Sequence, residues 1–155
     1  MGIEIERKYL IDKQKLINLK NGINIKQGYI NTTDNTVVRL RIKGAKGFLT
    51  IKGENKGATR LEFEYEIPLE EANEMLEKLC SKPIIEKTRY EISYESHLWE
   101  VDIFYGDNEG LIIAEVELKD ENETIILPPW IKKDVTGDIK YYNNQLMKNP
   151  YKNWI

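Results

Sequence analysis

Formal charges alternate with apolar side chains through seven separate stretches of this chain, and the sign of the charge changes mostly between stretches rather than within one. In the opening segment MGIEIERKYLI, Glu4, Glu6 and Lys8 fall on every second position, with Ile3, Ile5 and Tyr9 largely on the alternate set. Successive side chains of an extended strand point to opposite sides, so the three charges share one face. The same period places Arg39 and Arg41 among Val38, Leu40 and Ile42, sets Lys52 after Ile51, and threads Glu62, Glu64 and Glu66 through Leu61, Phe63, Tyr65 and Ile67. Lys87, Arg89 and Glu91 continue it, as do Glu100 and Asp102 around Val101, and Glu115 and Glu117 around Val116. Any one such strand reads as a solvated face. A set of seven does not, because a solvated face mixes in Thr, Ser, Gln and Asn where nothing demands formal charge. Blocks of one sign repel their own neighbours unless strands of opposite sign, or a bound ion, lie alongside. A sheet closed into a barrel with the charges inside meets that condition, and eight antiparallel strands suffice to close one.

Eight strands are legible. They are the opening segment, INIKQGYI, VVRLRI, FLTIKG, RLEFEYEI, IIEKTRYEISY, HLWEVDIFY and LIIAEVELK, with turns expected at GAKG, around Glu95 and Ser96, and at GDNEG. Between strands, Asp12 is placed to cap a short helix over DKQKLINL, and after Pro68 the residues Ala72, Met75, Leu76 and Leu79 recur at helical spacing. Tyr141, Tyr142, Leu146 and Met147 suggest a C-terminal helix stopped by Pro150. The expectation is a mainly β (α+β) fold, an eight-stranded antiparallel closed barrel or tunnel with short flanking helices and a C-terminal helix, in one domain over 1–155. The apolar alternate face then points outward and needs helices or a partner to cover it.

Composition narrows the partners. With 23 basic and 26 acidic residues the net charge is −3, so no global basic field exists to hold nucleic acid or an anionic membrane. No run of about 18 apolar residues and no leader pattern is present, which makes the cytoplasm the expected location. Cys80 is the single cysteine, excluding an intramolecular disulfide and a multi-cysteine metal site. His97, the single histidine, sits beside a turn and is left out of the site; Trp130 after two prolines reads as a structural anchor, and Tyr9, Tyr90 and Trp99 as outward packing groups. Glu66, Lys43 and Glu91 end charged runs, where rim and solvent are equally open readings.

Burying so many charges requires a wet lumen with counter-ions of both signs. A polyanion held by Arg and Lys, with a divalent cation held by carboxylates, satisfies both, since guanidinium forks match phosphate oxygens and carboxylates suit Mg²⁺ or Mn²⁺. EIERKYL resembles the E-x-E-x-K signature of the CYTH superfamily, the triphosphate tunnel metalloenzymes. VVRLRI, TIKG, LEFEYEI, EKTRY, WEVDIF and AEVELK are similar to its later strands in order, and QGYI and TGDIKYYN to its flanking segments. DVTGD, preceded by Lys132 and Lys133, departs from the Glu-Val-Thr-Gly-Asp that small members often carry.

That resemblance implies a tunnel binding a triphosphate and hydrolysing it with Mg²⁺ or Mn²⁺. It implies Glu4, Glu6, Glu115 and Glu117 as metal ligands, with Glu62, Glu64 and Asp102 near the metals or the attacking water. Lys8, Arg39, Arg41, Lys52, Lys87 and Arg89 would hold the phosphates, and Lys8 would position phosphate rather than abstract a proton. Inorganic tripolyphosphate is the leading substrate expectation because no stretch identifies a nucleoside pocket. Adenylate cyclisation of the CYTH type and a non-catalytic polyphosphate or nucleotide binder are the alternatives, and a homodimer is left open.

Overall fold

Each charged stretch forms a strand in the computed structural model, which describes residues 2–16 and 18–154. The strands β1 (Ile3–Ile11), β2 (Ile23–Ile30), β3 (Val37–Lys43), β4 (Lys46–Lys52), β5 (Thr59–Ile67), β6 (Ile85–Tyr94), β7 (His97–Phe104) and β8 (Ile112–Glu117) follow one another around the sheet as β5-β4-β3-β2-β6-β7-β8-β1. Closure comes from β1, whose first residues pair back onto β5 through Ile3↔Leu61 and Glu4↔Arg60. Its later residues pair with β8, Glu6 opposite Glu117 and Lys8 opposite Glu115. The result is the expected eight-stranded antiparallel barrel. A ninth strand, β9 (Ile131–Asp134), pairs with β1 from Tyr9 to Ile11. It was not expected, because IKKD is short and carries no apolar alternation.

Two hairpins are tight. β3 and β4 turn over Gly44 and Ala45, with Gly44 in the left-handed region that favours glycine. β6 and β7 turn over Glu95 and Ser96, both at positive φ, the backbone of a type I′ turn whose twist matches the strands it joins.

The outer wall is covered in two places. The helix α1 (Leu69–Lys78) carries Glu70 and Glu71 in its first turn and Lys78 in its last, matching the helix dipole. It buries Leu76 against Leu40 of β3, with Cys80 in the same cluster as a buried thiol, and Ala72 is fully buried. A Cβ on Gly47 of β4 would lie 2.6 Å from the Ala72 Cβ, so a glycine lets helix and sheet approach this closely. On the far wall Tyr9, Trp99, Val101, Ala114 and Val116 are covered by Leu118 and by Trp130, which packs edge-on against Trp99 at 5.7 Å between ring centroids. Among the described residues the outer face around β5 has no such cover: Ile3, Ile51, Leu61, Phe63 and Tyr65 are exposed.

The third apolar cluster lies inside the barrel. Tyr29, Ile85, Phe104 and Ile113 share an inward register with charged residues, and Val135, Tyr141, Leu146 and Met147 pack onto them, closing one end of the lumen. The expected C-terminal helix is here reduced to a single turn, α2 (Asn143–Leu146), between 3₁₀ turns at Ile139–Tyr141 and Tyr151–Asn153. Asp138 caps the first of these and Tyr142 is extended, so the backbone bends into the barrel mouth instead of running past it. The helix expected after Asp12 is likewise one 3₁₀ turn, Lys13–Lys15, with the Asp12 side chain accepting from the Gln14 N–H; Ile17 lies outside the described residues. Among the described residues no helix is long and apolar enough to cross a membrane.

Candidate active site

The barrel sorts its inward charges by wall. Carboxylates come from four consecutive strands, β7, β8, β1 and β5, and cations chiefly from β4, β3 and β6 on the facing arc, where β2 contributes Tyr29. Between them is a cavity of about 300 Å³. Seven carboxylates and eight cations line it, so it is close to charge balance rather than uniformly positive. A triphosphate therefore meets a cationic wall on one side and, on the other, a wall that repels it unless further positive charge enters with it.

On the cationic arc, Arg39 and Arg41 are buried neighbours on β3. Arg39 lies 3.3 Å from Glu64 and donates to Thr50 Oγ1 at 3.2 Å, while its Nε has no partner among the described residues. Arg41 Nε donates to Gln27 Oε1 at 2.8 Å. Lys52 bridges Glu4 at 3.3 Å and Glu62 at 3.4 Å. On β6 the fully buried Lys87 ammonium lies 2.7 Å from Asp102, and Arg89 donates to both Asp102 oxygens, at 2.7 and 2.9 Å. Burial pushes Lys87 down to about 7 against the pull of Asp102, with Arg89 and Arg41 adding repulsion. Burial alone would push Asp102 up, but Arg89 and Lys87 outweigh it and hold the carboxyl at about 2.

The carboxylate arc is organised in pairs. Burial raises Glu4 to about 6 against the pull of Lys52, and Glu62 hydrogen-bonds it and is held low. Burial likewise pushes Glu6 well up, reinforced by Glu115. Glu115 itself stays well below the usual carboxylate range, because Lys8, the Glu6 hydrogen bond and Arg89 outweigh its burial. In each pair one carboxyl is pushed up and the other held down, an arrangement in which a divalent cation suits the same oxygens. Among the described residues no three acidic, histidine or cysteine side chains converge closely enough to enclose an ion. An ion on this arc would be completed by phosphate oxygens and water, the coordination that Mg²⁺ favours. The donor set fits on those terms.

Of the residues expected from the sequence, Glu4, Glu6, Lys8, Arg39, Arg41, Lys52, Glu62, Glu64, Lys87, Arg89, Glu115 and Glu117 all line the cavity. Glu117 and Glu64 are the exposed ones. Asp102 differs: it is fully buried behind the wall, with both oxygens taken by Arg89 and Lys87, and it does not reach the cavity. Its neighbour in the alternation, Glu100, lines the cavity instead and accepts from Arg89 at 3.2 Å. Arg60 and Lys43 also line it, while Glu66 and Glu91 are exposed away from it. His97 pairs with Glu123 outside. Arg60 and Glu100 each fall two residues before an expected site residue, so the alternation contained them.

Neutral residues complete the closed end. Asn143 Oδ1 accepts from Lys87 Nζ and Gln27 Nε2, both at 3.0 Å. Lys8 Nζ donates to the Tyr141 carbonyl at 3.3 Å and lies 5.3 Å from the centroid of the Tyr142 ring. Thr136 anchors this segment by accepting from the Lys8 backbone N–H at 2.9 Å.

Comparison with known proteins bears on this arrangement. The family model for the CYTH domain matches residues 2–151. An inorganic triphosphatase of Acetivibrio thermocellus is 52% identical over 154 residues, covering 99% of each chain. One of Nitrosomonas europaea is 37% identical over 147 residues, covering 92% of this chain and 95% of that protein. The crystal structure of an inorganic triphosphatase aligns with a TM-score of 0.66 at 35% identity, over 92% of this chain and 96% of that one. A closed eight-stranded barrel with facing acidic and cationic walls, and a family match over nearly its whole length, lead to one assignment: the chain belongs to the CYTH domain family.

Proposed function

We propose that the protein is a metal-dependent triphosphatase that hydrolyses a phosphoanhydride bond of inorganic tripolyphosphate in the barrel lumen, in the cytoplasm. The observation carrying this is the division of the lumen into a cationic and a carboxylate wall around a cavity of about 300 Å³. The inorganic triphosphatases similar to this chain support the substrate.

Arg39, Arg41, Lys52, Lys87 and Arg89 bind phosphate oxygens and fix the chain of the substrate against the β4-β3-β2-β6 arc. Asp102 is a positioning residue: its two oxygens hold the Arg89 fork and the Lys87 ammonium at fixed spacing, so the phosphate-binding groups are ordered before substrate arrives. Lys8, on the carboxylate arc near Tyr142, neutralises charge that develops on the transferred phosphoryl group. Glu62 and Glu64 flank Lys52 and Arg39, close enough to orient a water toward the bound chain. Glu4, Glu6, Glu115 and Glu117 would hold a Mg²⁺ or Mn²⁺ ion, which supplies charge neutralisation and Lewis acidity at the scissile group.

The test is product identity. With Mg²⁺ or Mn²⁺, tripolyphosphate should yield orthophosphate and diphosphate in equal amounts, and Glu6→Gln should abolish turnover while keeping a cooperative melting transition. Cyclic nucleotide from ATP would replace this reading with a cyclase. Binding of tripolyphosphate without turnover under either metal would replace it with a binding module.

A further inference from the structure

A second cavity, of about 640 Å³, adjoins the charged one at its closed end. Its lining is different in kind. Apart from Arg60 and charges at Asp34, Glu54 and Lys148, it consists of amides, hydroxyls and apolar groups such as Asn31, Thr32, Ile139 and Met147. That chemistry suits a neutral organic group, and the volume falls within the range of small-molecule sites.

Tyr142 and Asn55 line both cavities. Asn55 Nδ2 donates to the Tyr142 hydroxyl at 2.7 Å and to the Gly57 carbonyl at 3.0 Å, joining the loop between β4 and β5 to the C-terminal segment across the boundary. We propose that this Tyr142–Asn55 hydrogen bond is a specificity latch: closed, it confines the charged cavity to an unsubstituted triphosphate, and open, it admits the organic group of a nucleoside triphosphate into the second cavity. The inference rests on the triphosphatase reading and adds the group that sets substrate class. A bare triphosphate needs no opening. A nucleoside triphosphate must break the bond each time it binds, at the worth of one net hydrogen bond, about tenfold in kcat/KM.

The test measures kcat/KM for tripolyphosphate and for ATP, with one metal, in the parent protein, Asn55→Ala, Tyr142→Phe and the double variant. Tyr142→Phe keeps the ring near Lys8 and removes only the hydroxyl. Each single variant should raise the ratio of ATP to tripolyphosphate about tenfold, through a gain on ATP. The double variant should show no more than either single, since both remove the same bond. An unchanged ratio in both, a proportional loss on both substrates, or additive gains in the double variant would overturn the latch. A parent protein without tripolyphosphatase activity would instead overturn the reading beneath it, so the two failures are distinct.

Discussion

At the scale of single residues, the site depends on cations held out of water beside a carboxylate. Lys87 is the clearest case, because its ammonium is fully buried and its pKa lies at about 7 in the free protein. Phosphate oxygens favour the charged form, so binding raises that pKa. The sign follows: below about 7 the lysine is already charged and affinity is full, and as pH rises above 7 the free protein must take up a proton to bind. Affinity for tripolyphosphate should then fall by up to about tenfold per pH unit, until the bound-state pKa is reached. Titration calorimetry of the parent and Lys87→Arg at several pH values checks this, since arginine stays charged and the substrate's own ionisation is common to both; identical slopes would assign the proton elsewhere. Asp102→Asn removes the partner of two buried cations and should cost about 3–5 kcal/mol of stability, read by denaturant unfolding. Lys8→Arg should keep most binding and lose rate, while Lys8→Ala should lose more of both, as separated by KM and kcat. The sequence made the identity of nearly all charged lining groups legible, because a strand's side is fixed by parity alone. It left depth illegible: Glu100 and Asp102 have the same parity, and only the pairing of β7 with β6 and β8 puts one in the cavity and the other behind its wall.

Among the elements, the C-terminal segment matters out of proportion to its regularity. It has four residues of α-helix, yet it closes one end of the barrel with Tyr141, Leu146 and Met147. Leu146 is completely buried in that cluster, and Leu146→Ala should cost about 2–5 kcal/mol by loss of transfer free energy and the cavity left behind. A lowered melting temperature measures it; an unchanged one would mean that the segment is not docked in solution. This part was least legible beforehand, for a physical reason. The eight barrel strands announce themselves by period-2 alternation, whereas β9 and the 3₁₀ turns are held by tertiary contacts such as Val135 N–H to the Lys8 carbonyl, at 2.9 Å, which leave no periodic trace. The neutral groups that meet the charged ones, Gln27, Tyr142 and Asn143, leave no periodic trace either: an amide or phenol announces no partner until the fold brings it to one.

For the molecule as a whole, charge balance sets its response to ligands. Seven carboxylates and eight cations around one cavity leave little net field for a polyanion. Tripolyphosphate with Mg²⁺ should stabilise the protein by roughly 2.7 kcal/mol at a hundredfold excess over Kd. Tripolyphosphate without a divalent ion should do much less. Thermal melts under the four combinations of ligand and metal check this, and equal shifts with and without the ion would remove the carboxylate wall from metal binding.

The way the barrel closes also governs how it can be made. β1 is synthesised before each of the strands that its edges pair with, β5, β8 and β9, and the contact between Lys8 N and Thr136 Oγ1 spans 128 positions. A nascent chain therefore carries Glu4, Glu6 and Lys8 without their neighbours until β8 and β9 have been synthesised. Loops of that length must close before their contacts return any free energy, which places refolding in the millisecond-to-second range of β topologies. Until then β1 is an unpaired strand whose charged face resists aggregation, so the side chains that serve chemistry in the finished barrel also protect the unfinished one.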